Sequence, residues 1–380
     1  MSQTKYDFLI VGAGVYGSVF AREMTDRGKR CLVIDQLRHV AGHCYTEERE
    51  GIHLHVYGPH IFHTDREDIW KYVQKFARFT PYCHRIKSFY RDKIYSFPIN
   101  LSTLNQLWGV NTPDQARMLL ETKKIPFANP ANMEEWALSQ VGEEIYKTFF
   151  HGYTTKQWGK DPKELSPSIL KRLPIRLSFD DTYYNDRFQG IPEEGYTHLF
   201  KRLLDGIEVR LNENYFDKKI EWDRLAKTIV FTGRIDEFFD YKYGELGYRS
   251  LRFENQIVDI PDYQGTSVMN YPDARVPFTR ITEYKHFQWH KFLTTPLPYT
   301  LISKEFPDTW NRDKTPYYPV NTAENDQIFE KYRKEAEQLK NLIFGGRLAE
   351  FKYYDMHQVI GSALAKVEQL SQTVFPELKK

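Results

Sequence analysis

The sequence predicts an α/β fold in which both ends of the chain build one βαβ-type domain, interrupted by a helical insertion and by an antiparallel one. Three observations predict it. Residues 6–35 read as strand, glycine turn, helix and strand; residues 101–157 place apolar side chains at helical spacing; and several stretches between 81 and 299 alternate polar with apolar. At 380 residues the chain has material for two or three domains.

Composition narrows the function. With 53 Lys+Arg against 51 Asp+Glu the formal charge is +2, which argues against a protein built to hold nucleic acid. Mean hydropathy is −0.62, and no run of about 18 apolar residues occurs, so no membrane insertion is expected. Aromatic content is high, 16 %, more than a hydrophilic chain needs for its core, so some rings are expected to line a ligand cleft. Cys31, Cys44 and Cys83 form no disulfide framework and lack metal-ligand spacing. The apolar stretch at Phe8 runs at once into a glycine turn, unlike a signal peptide, and a cytoplasmic protein is expected.

Taken in order, Tyr6 to Val11 (YDFLIV) has the unbroken apolar character of a buried strand. Gly12-Ala13-Gly14-Val15-Tyr16-Gly17 follows as G-x-G-x-x-G, and the helical period after Ser18 stops near Gly28. A second strand, Cys31 to Ile34, ends at Asp35, 23 residues after Gly12. Gly12 permits the tight turn, Gly14 lets the backbone approach a pyrophosphate, and Gly17 lets helix and strand pack closely. The helix N-terminus turns free N–H groups and a positive dipole end toward the phosphates. Asp35 suits a ribose hydroxyl, or caps the next element. The unit therefore reads as a Rossmann-like dinucleotide site. A second glycine turn, Arg38 to Tyr45, lies where FAD-linked proteins of the glutathione-reductase type place a loop near the flavin.

Gly51 to Thr64 holds His53, His55, His60 and His63 among apolar residues. No carboxylate or cysteine completes a ligand set, so no metal is expected, and His53 and His55 read as structural. Pro81 to Asn100 alternates as a hairpin turning at Arg91-Asp92-Lys93. Leu101 to about Gln157 is helical, with segments either side of Gly142. Asn185 to Arg202 passes a glycine turn into an amphipathic helix. Ile207–Asp217, Thr228–Thr232 and Arg249–Tyr299 alternate as strands, and Tyr332–Leu339 reads as a charged helix. Ile343-Phe344-Gly345-Gly346-Arg347 is a strand ending in a glycine pair, after which Asp355 N-caps a last helix, Met356 to Leu370.

Five blocks in this order carry a family likeness: His60-Ile61-Phe62-His63-Thr64, Gly152-Tyr153-Thr154-Thr155-Lys156-Gln157-Trp158-Gly159, Pro277-Phe278-Thr279-Arg280, Pro316-Tyr317-Tyr318-Pro319 and Gly345-Gly346-Arg347-Leu348. They resemble the bacterial UDP-galactopyranose mutases, from residue 6 to about 365. The resemblance implies a discontinuous FAD-binding Rossmann-like domain (1–80, 190–245 and 338–380), a helical bundle with a mobile substrate loop (100–170), and a mostly antiparallel six-stranded sheet domain (81–99, 171–189 and 246–337). It implies a flavin-dependent isomerase of UDP-galactopyranose and UDP-galactofuranose. The reaction runs through a covalent adduct between the sugar and N5 of reduced FAD, with no net redox change. A homodimer serving a cell-surface polysaccharide is expected by the same likeness. Covalent catalysis then belongs to the cofactor, which accounts for the lack of a prominent nucleophile–base–acid triad.

By this resemblance Arg172 and Arg280 hold the diphosphate, a task suited to an always-charged, bidentate side chain. Tyr317, Tyr318 and Tyr353 hydrogen-bond it, and Trp158 covers sugar and nucleotide from a closing loop. Tyr183 and Tyr184, standing for the family's Tyr-Phe, flank the uracil with Phe150 and Thr154 nearby. Arg347 lies at the isoalloxazine edge, and His60 next to the flavin carbonyl and N5. The helix after Asp355 points its dipole at the pyrimidine end of the ring, favouring the anionic reduced form. Arg172, Arg280, His60 and Arg347 are thus the expected catalytic set. Gly12, Gly14, Val15, Tyr16, Gly17, Asp35, Gly42, His43, His60, Ile61, Arg347, Tyr353, Asp355 and Met356 are the expected cofactor contacts. His63 bears on specificity: relatives accepting the N-acetylated sugar carry arginine there, so histidine favours UDP-galactose.

Three departures stand out. Ala41-Gly42-His43 replaces the common Gly-Gly-Asn, Pro59 replaces a frequent alanine and stiffens its loop, and Arg234 replaces a frequent proline. Competing readings are a flavin amine oxidase or dehydrogenase, a mutase of another nucleotide sugar (dTDP-linked or N-acetylated), and a non-catalytic flavin-binding protein. An amine substrate has no need of paired phosphate arginines.

Overall fold

The computed structural model describes residues 4–171 and 173–373. A five-stranded sheet runs in the order Glu208–Leu211, Cys31–Asp35, Tyr6–Val11, Ala226–Phe231, Leu342–Phe344, with every neighbouring pair parallel. Every residue of Cys31–Asp35 is buried, as a strand covered on both faces requires. Phe8, Ile10 and Val33 pack on the Val15–Asp26, Tyr196–Leu203 and Met356–Thr373 helices. Leu9, Leu32 and Ile34 pack on Tyr215 and Trp222. The strands end together at Val11, Asp35, Phe231 and Phe344, the edge at which such sheets bind ligands.

The second sheet has seven strands, not the six expected: Tyr318–Pro319, Tyr248–Val258, Thr300–Thr309, Arg280–Glu283, Val268–Asn270, Ile86–Tyr90, Lys93–Phe97. The two-residue edge strand Tyr318–Pro319 is too short to announce itself by alternation. Pairing is antiparallel except between Val268–Asn270 and Ile86–Tyr90. The hairpin expected over Pro81–Asn100 is present as the pair Ile86–Tyr90 and Lys93–Phe97, and it turns at Arg91 and Asp92, with φ of 48° and 62°, while Lys93 already belongs to the second strand. Positive φ at both central residues is the two-residue turn whose twist matches the strands.

Arg249–Tyr299 is not strand throughout. Tyr284–Gln288 forms a 3-10 turn that runs into the Trp289–Thr294 helix. Tyr284, Phe287 and Gln288 are its buried positions. That i, i+3, i+4 spacing is helical and was read as alternation. The charged helix begins earlier than predicted, spanning Ala323–Ala336 with Thr322 accepting from the Asn325 amide. Tyr332 is its buried residue, so its periodicity is faint in the sequence. The last helix runs on to Thr373.

The helical region is capped by side-chain oxygens. Asn100 forms a capping box for Leu101–Trp108, Thr112 caps Pro113–Lys123, and Asn132 caps Met133–Ile145. Gly142, at φ 73°, breaks the last of these, and a Cβ there would lie 2.2 Å from the Lys123 carbonyl oxygen. The π-helical turn Tyr146–His151 then delivers the Gly152–Trp158 helix. Among the described residues no helix is long and apolar enough to cross a membrane.

Candidate active site

Two clefts share a wall. One follows the ligand-binding edge of the parallel sheet, past Gly12, Gly14, Asp35, Gly42, Thr232 and Gly346. The other is a deeper pocket between the two sheets and the helical region. His43, Tyr57, His60, Arg347 and Met356 line both.

The first cleft is built from main chain. Gly12 sits at φ +113°, and a Cβ there would meet Thr232 Oγ1 at 2.0 Å; a Cβ at Gly17 would meet the Gly12 carbonyl at 2.0 Å. Both are therefore fixed by packing. Gly14 differs: its nearest neighbour would be Gly42 Cα at 3.9 Å, so the space beside it is left to a ligand. Gly14 is also the N-cap of the Val15–Asp26 helix and supplies no capping side chain. The first-turn N–H groups are thus available to an anion. Asp35 accepts the Ala13 amide (2.7 Å) on Oδ2 and the Leu37 amide (2.8 Å) on Oδ1. It caps the following turn, as one reading expected, while still lining the cleft. Burial raises its carboxyl despite these two bonds. Ala41 adopts φ +76° and Gly42 φ +51°, letting the second glycine turn close over Gly14. These residues fit a dinucleotide: open N–H groups for the pyrophosphate, room at Gly14 and a carboxylate beyond.

The shared wall holds two neutral imidazoles and a cation. His60 Nδ1 lies 2.7 Å from the Gly58 carbonyl, so it carries the proton and Nε2 is left as an acceptor. Burial pushes this imidazole down to about 4, with Arg347 and Arg280 adding to the effect against the Gly58 bond. The His60 amide donates to His55 Nδ1 (3.0 Å), which gives buried His55 the structural role expected of it. His43 stacks on Tyr317 (centroids 4.9 Å), and burial, then Arg347, lowers it to about 3. Arg347 donates to the carbonyls of Tyr354 (2.6 Å) and Tyr317 (3.3 Å). Asp355 accepts from the Gln358 and Val359 amides through its carbonyl, starting the Met356–Thr373 helix at this wall.

The deep pocket is built from side chains. Asn270, Arg280 and Glu305 stand opposite one another on three adjacent strands, and all three line it. Arg280 Nε is 2.9 Å from Glu305 Oε2, and Glu305 is 2 % exposed. Glu305 is braced by Thr279, whose amide donates to its carbonyl at 2.9 Å. Tyr318 stacks on Tyr353 (5.4 Å), with Trp158 at 6.2 Å. Burial raises the Tyr317 and Tyr318 hydroxyls, which stay O–H donors at neutral pH. His63 lies 2.8 Å from Asp186 through Nδ1 and stacks on Tyr184 at 3.6 Å.

Of the residues predicted for substrate, Phe150, Thr154, Trp158, Tyr183, Tyr184, Arg280, Tyr317, Tyr318, Tyr353 and His63 all line this pocket. Arg172 lies outside the described residues. Of those predicted for cofactor, Gly12, Gly14, Val15, Tyr16, Asp35, Gly42, His43, His60, Arg347 and Met356 line the first cleft. Gly17 packs behind it, and Ile61, Tyr353 and Asp355 face the deep pocket instead. Arg234, a departure, is 7 % exposed and bonds the Tyr241 hydroxyl (3.0 Å) and Glu237 (3.1 Å) at the cleft rim. Sequence reasoning gave no role to Tyr153, His84, Asn270 or Glu305, which also line the pocket. Tyr153 sat inside a matching block; the other three have no local signal, since cross-strand register brings them in.

Comparison with known proteins gives the chain's relatives. Residues 148–353 match the family model for UDP-galactopyranose mutase, and residues 10–76 match a model for an NAD(P)-binding Rossmann-like domain. The chain is 42 % identical to dTDP-fucopyranose mutase of Escherichia coli, over 94 % of this chain and 96 % of that one. It is 39 % identical to the probable UDP-galactopyranose mutase of Klebsiella pneumoniae, over 97 % and 95 %. Its fold is similar to the crystal structure of a reduced UDP-galactopyranose mutase, with a TM-score of 0.78 at 14 % identity over 97 % and 94 % of the two chains. Putrescine oxidase shares the fold more loosely, with a TM-score of 0.60 at 12 % identity over 97 % and 99 %. The chain belongs to the UDP-galactopyranose mutase family of isomerases.

Proposed function

We propose that the protein interconverts the pyranose and furanose forms of a nucleotide-diphosphate sugar, UDP-galactose and UDP-galactofuranose in the first instance, with FAD held in its reduced form. The observation that carries this reading is the shared wall, which sets a dinucleotide cleft edge to edge with a pocket containing a braced arginine. Reduced FAD, when bound, supplies a nucleophilic nitrogen for the anomeric carbon and returns the sugar with no net redox change. The chain's part is to bind, orient and neutralise. Glu305 holds the Nε side of Arg280, leaving its two Nη atoms for diphosphate oxygens that gain charge on departure. Tyr317, Tyr318 and Tyr353 add hydroxyl donors, and burial keeps the first two from ionising. Arg347 and the N-terminus of the Met356–Thr373 helix present positive charge at the shared wall, where an anionic ring is stabilised. His60 keeps its proton on Nδ1 and offers Nε2 as an acceptor. Trp158, Tyr183, Tyr184 and Phe150 exclude water from the nucleotide.

The 42 % identity to a dTDP-fucopyranose mutase favours a second reading, in which the substrate is dTDP-fucopyranose. One anaerobic experiment separates the two: reduce the holoenzyme with dithionite, supply each furanose nucleotide in turn, and follow the pyranose by chromatography. Conversion of UDP-galactofuranose that requires reduction supports the first reading, and conversion confined to the dTDP sugar supports the second. Flavin reduction driven by substrate, with no isomer formed, overturns both. We place the protein in the cytoplasm as a homodimer; its unpaired thiols suit a reducing compartment, and sedimentation tests the dimer.

A further inference from the structure

The hairpin that carries Asn270 and Arg280 at its two feet has a long loop, residues 271–279, with Pro272 and Pro277 in it. The loop closes at its base through the Tyr271 amide and the Thr279 carbonyl (2.8 Å). Above that bond the carbonyls of Tyr271, Asp273, Val276 and Phe278 turn inward. All four meet one group, the ammonium of Lys156, at 2.6, 2.9, 2.9 and 2.9 Å. Lys156 comes from the Gly152–Trp158 helix, whose start is pressed against the same loop: a Cβ on Gly152 would lie 2.3 Å from the Pro272 carbonyl oxygen. Tyr153, Thr154, Gln157 and Trp158 of that helix line the deep pocket. Arg249, from the same sheet, donates to the Gln157 carbonyl (2.9 Å) and the Lys156 carbonyl (3.3 Å) from the other side.

We propose that Lys156 is a positioning residue, which sets Arg280 and Asn270 relative to Trp158 by pinning the 271–279 loop onto the Gly152–Trp158 helix. It touches no substrate, and the inference rests on the reading of Arg280 as the diphosphate ligand. The physical reason is a count of donors. Partly buried carbonyls need partners, and the three N–H bonds of one charged nitrogen serve four oxygens, of which the Asp273 carbonyl also accepts the Val276 amide (3.1 Å). Without the cation those oxygens must turn toward water, and the loop moves with both feet of the hairpin. Helix and hairpin adjoin and both line one pocket, so a shift of either spoils a site that needs both.

The test is UDP and dTDP binding to the oxidised holoenzyme, followed by flavin fluorescence. Lys156→Met, which keeps the stem and removes the charge, is expected to weaken nucleotide binding by about tenfold or more, while Lys156→Arg stays within about threefold of the parent. In an Arg280→Lys background the Lys156→Met loss is expected to shrink, because both changes act on one contact. Full additivity, or Lys156→Met binding within about twofold of the parent, overturns the proposal. Should Lys156→Met not fold, hydrogen exchange on the unaltered holoenzyme decides. Saturating nucleotide is expected to slow the amides of residues 271–279 and 152–158 together, and no added protection in the loop overturns the proposal. If the parent binds neither nucleotide, the reading of the site has failed, and that result is distinct from failure of the role for Lys156.

Discussion

The two clefts meet at one wall and are made by opposite means. The dinucleotide cleft is framed chiefly by main chain: a Cβ on Gly12 or Gly17 would lie 2.0 Å from a neighbouring oxygen, and the first-turn N–H groups have no capping side chain. The deep pocket is lined chiefly by side chains, among them a cross-strand row of Asn270, Arg280 and Glu305 and the rings of Trp158, Tyr318 and Tyr353. A backbone site is spoiled by adding atoms, and a side-chain site by removing them. Damage to the first should therefore appear as lost fold or lost cofactor, and damage to the second as lost turnover with both retained.

The largest expected effect breaks the pocket alone. Arg280→Ala removes the charge proposed to meet the diphosphate, and turnover should fall by about 100-fold or more. The protein should still purify yellow, because no cofactor-cleft residue is altered. Near-normal turnover, measured by chromatography of the anaerobic reaction, would sink the role. The next effect splits the cleft against itself. Gly17→Ala forces a methyl into the Gly12 carbonyl and should cost about 1–3 kcal/mol of apo-protein stability. Gly14→Ala meets nothing closer than 3.9 Å, so apo stability should change by less than about 1 kcal/mol while FAD affinity drops. Denaturant titration beside FAD titration separates the two, and equal losses of stability would contradict the comparison.

A further effect concerns pH. His84 is 5 % exposed, and burial, then Arg280 and His63, holds it at about 3 rather than 6.5. The unfolded chain takes up a proton below 6.5 that the native state refuses until about 3. Stability contributed at neutral pH is therefore lost as pH falls through that window, by about 1.4 kcal/mol per pH unit. His84→Asn should flatten the slope of unfolding free energy between pH 6 and 4 by about that amount. An unchanged slope would mean that the imidazole is already charged in the native protein.

The same contrast explains what the sequence disclosed. Glycines leave a local trace because a turn needs them at fixed spacing, and alternation either side of a polar turn leaves another, so the strand–turn–helix of residues 6–35 and the hairpin turning at Arg91-Asp92 were legible from neighbouring residues alone. Glu305 was not: in Ser303-Lys304-Glu305-Phe306 it looks like any exposed strand acid, and its burial against Arg280 follows from register with a strand some 25 residues away. His84 and Asn270 were hidden for the same reason. Tyr284–Thr294 was misread because its buried aromatics lie three apart, a spacing that a short stretch cannot tell from irregular alternation. The role expected of Arg280 came from matching blocks, since an arginine at the head of the short strand Arg280-Ile281-Thr282-Glu283 has no chemistry of its own to declare.

The order of strands in the parallel sheet carries a consequence for how the protein is made. Tyr6–Val11 lies at the centre, yet its partner Ala226–Phe231 and the flanking Leu342–Phe344 come far later in the chain. At about 5–20 residues per second, synthesis leaves the first βαβ unit without its outer strand for on the order of 15–60 s. During that interval an apolar strand has an unpaired edge, the kind of surface that recruits other chains. An N-terminal fragment ending before residue 226 would hold the whole glycine motif and still lack two of the five strands of the sheet that supports it. Nascent chains should accordingly depend on protection by chaperones until the ribosome has passed the last third of the message.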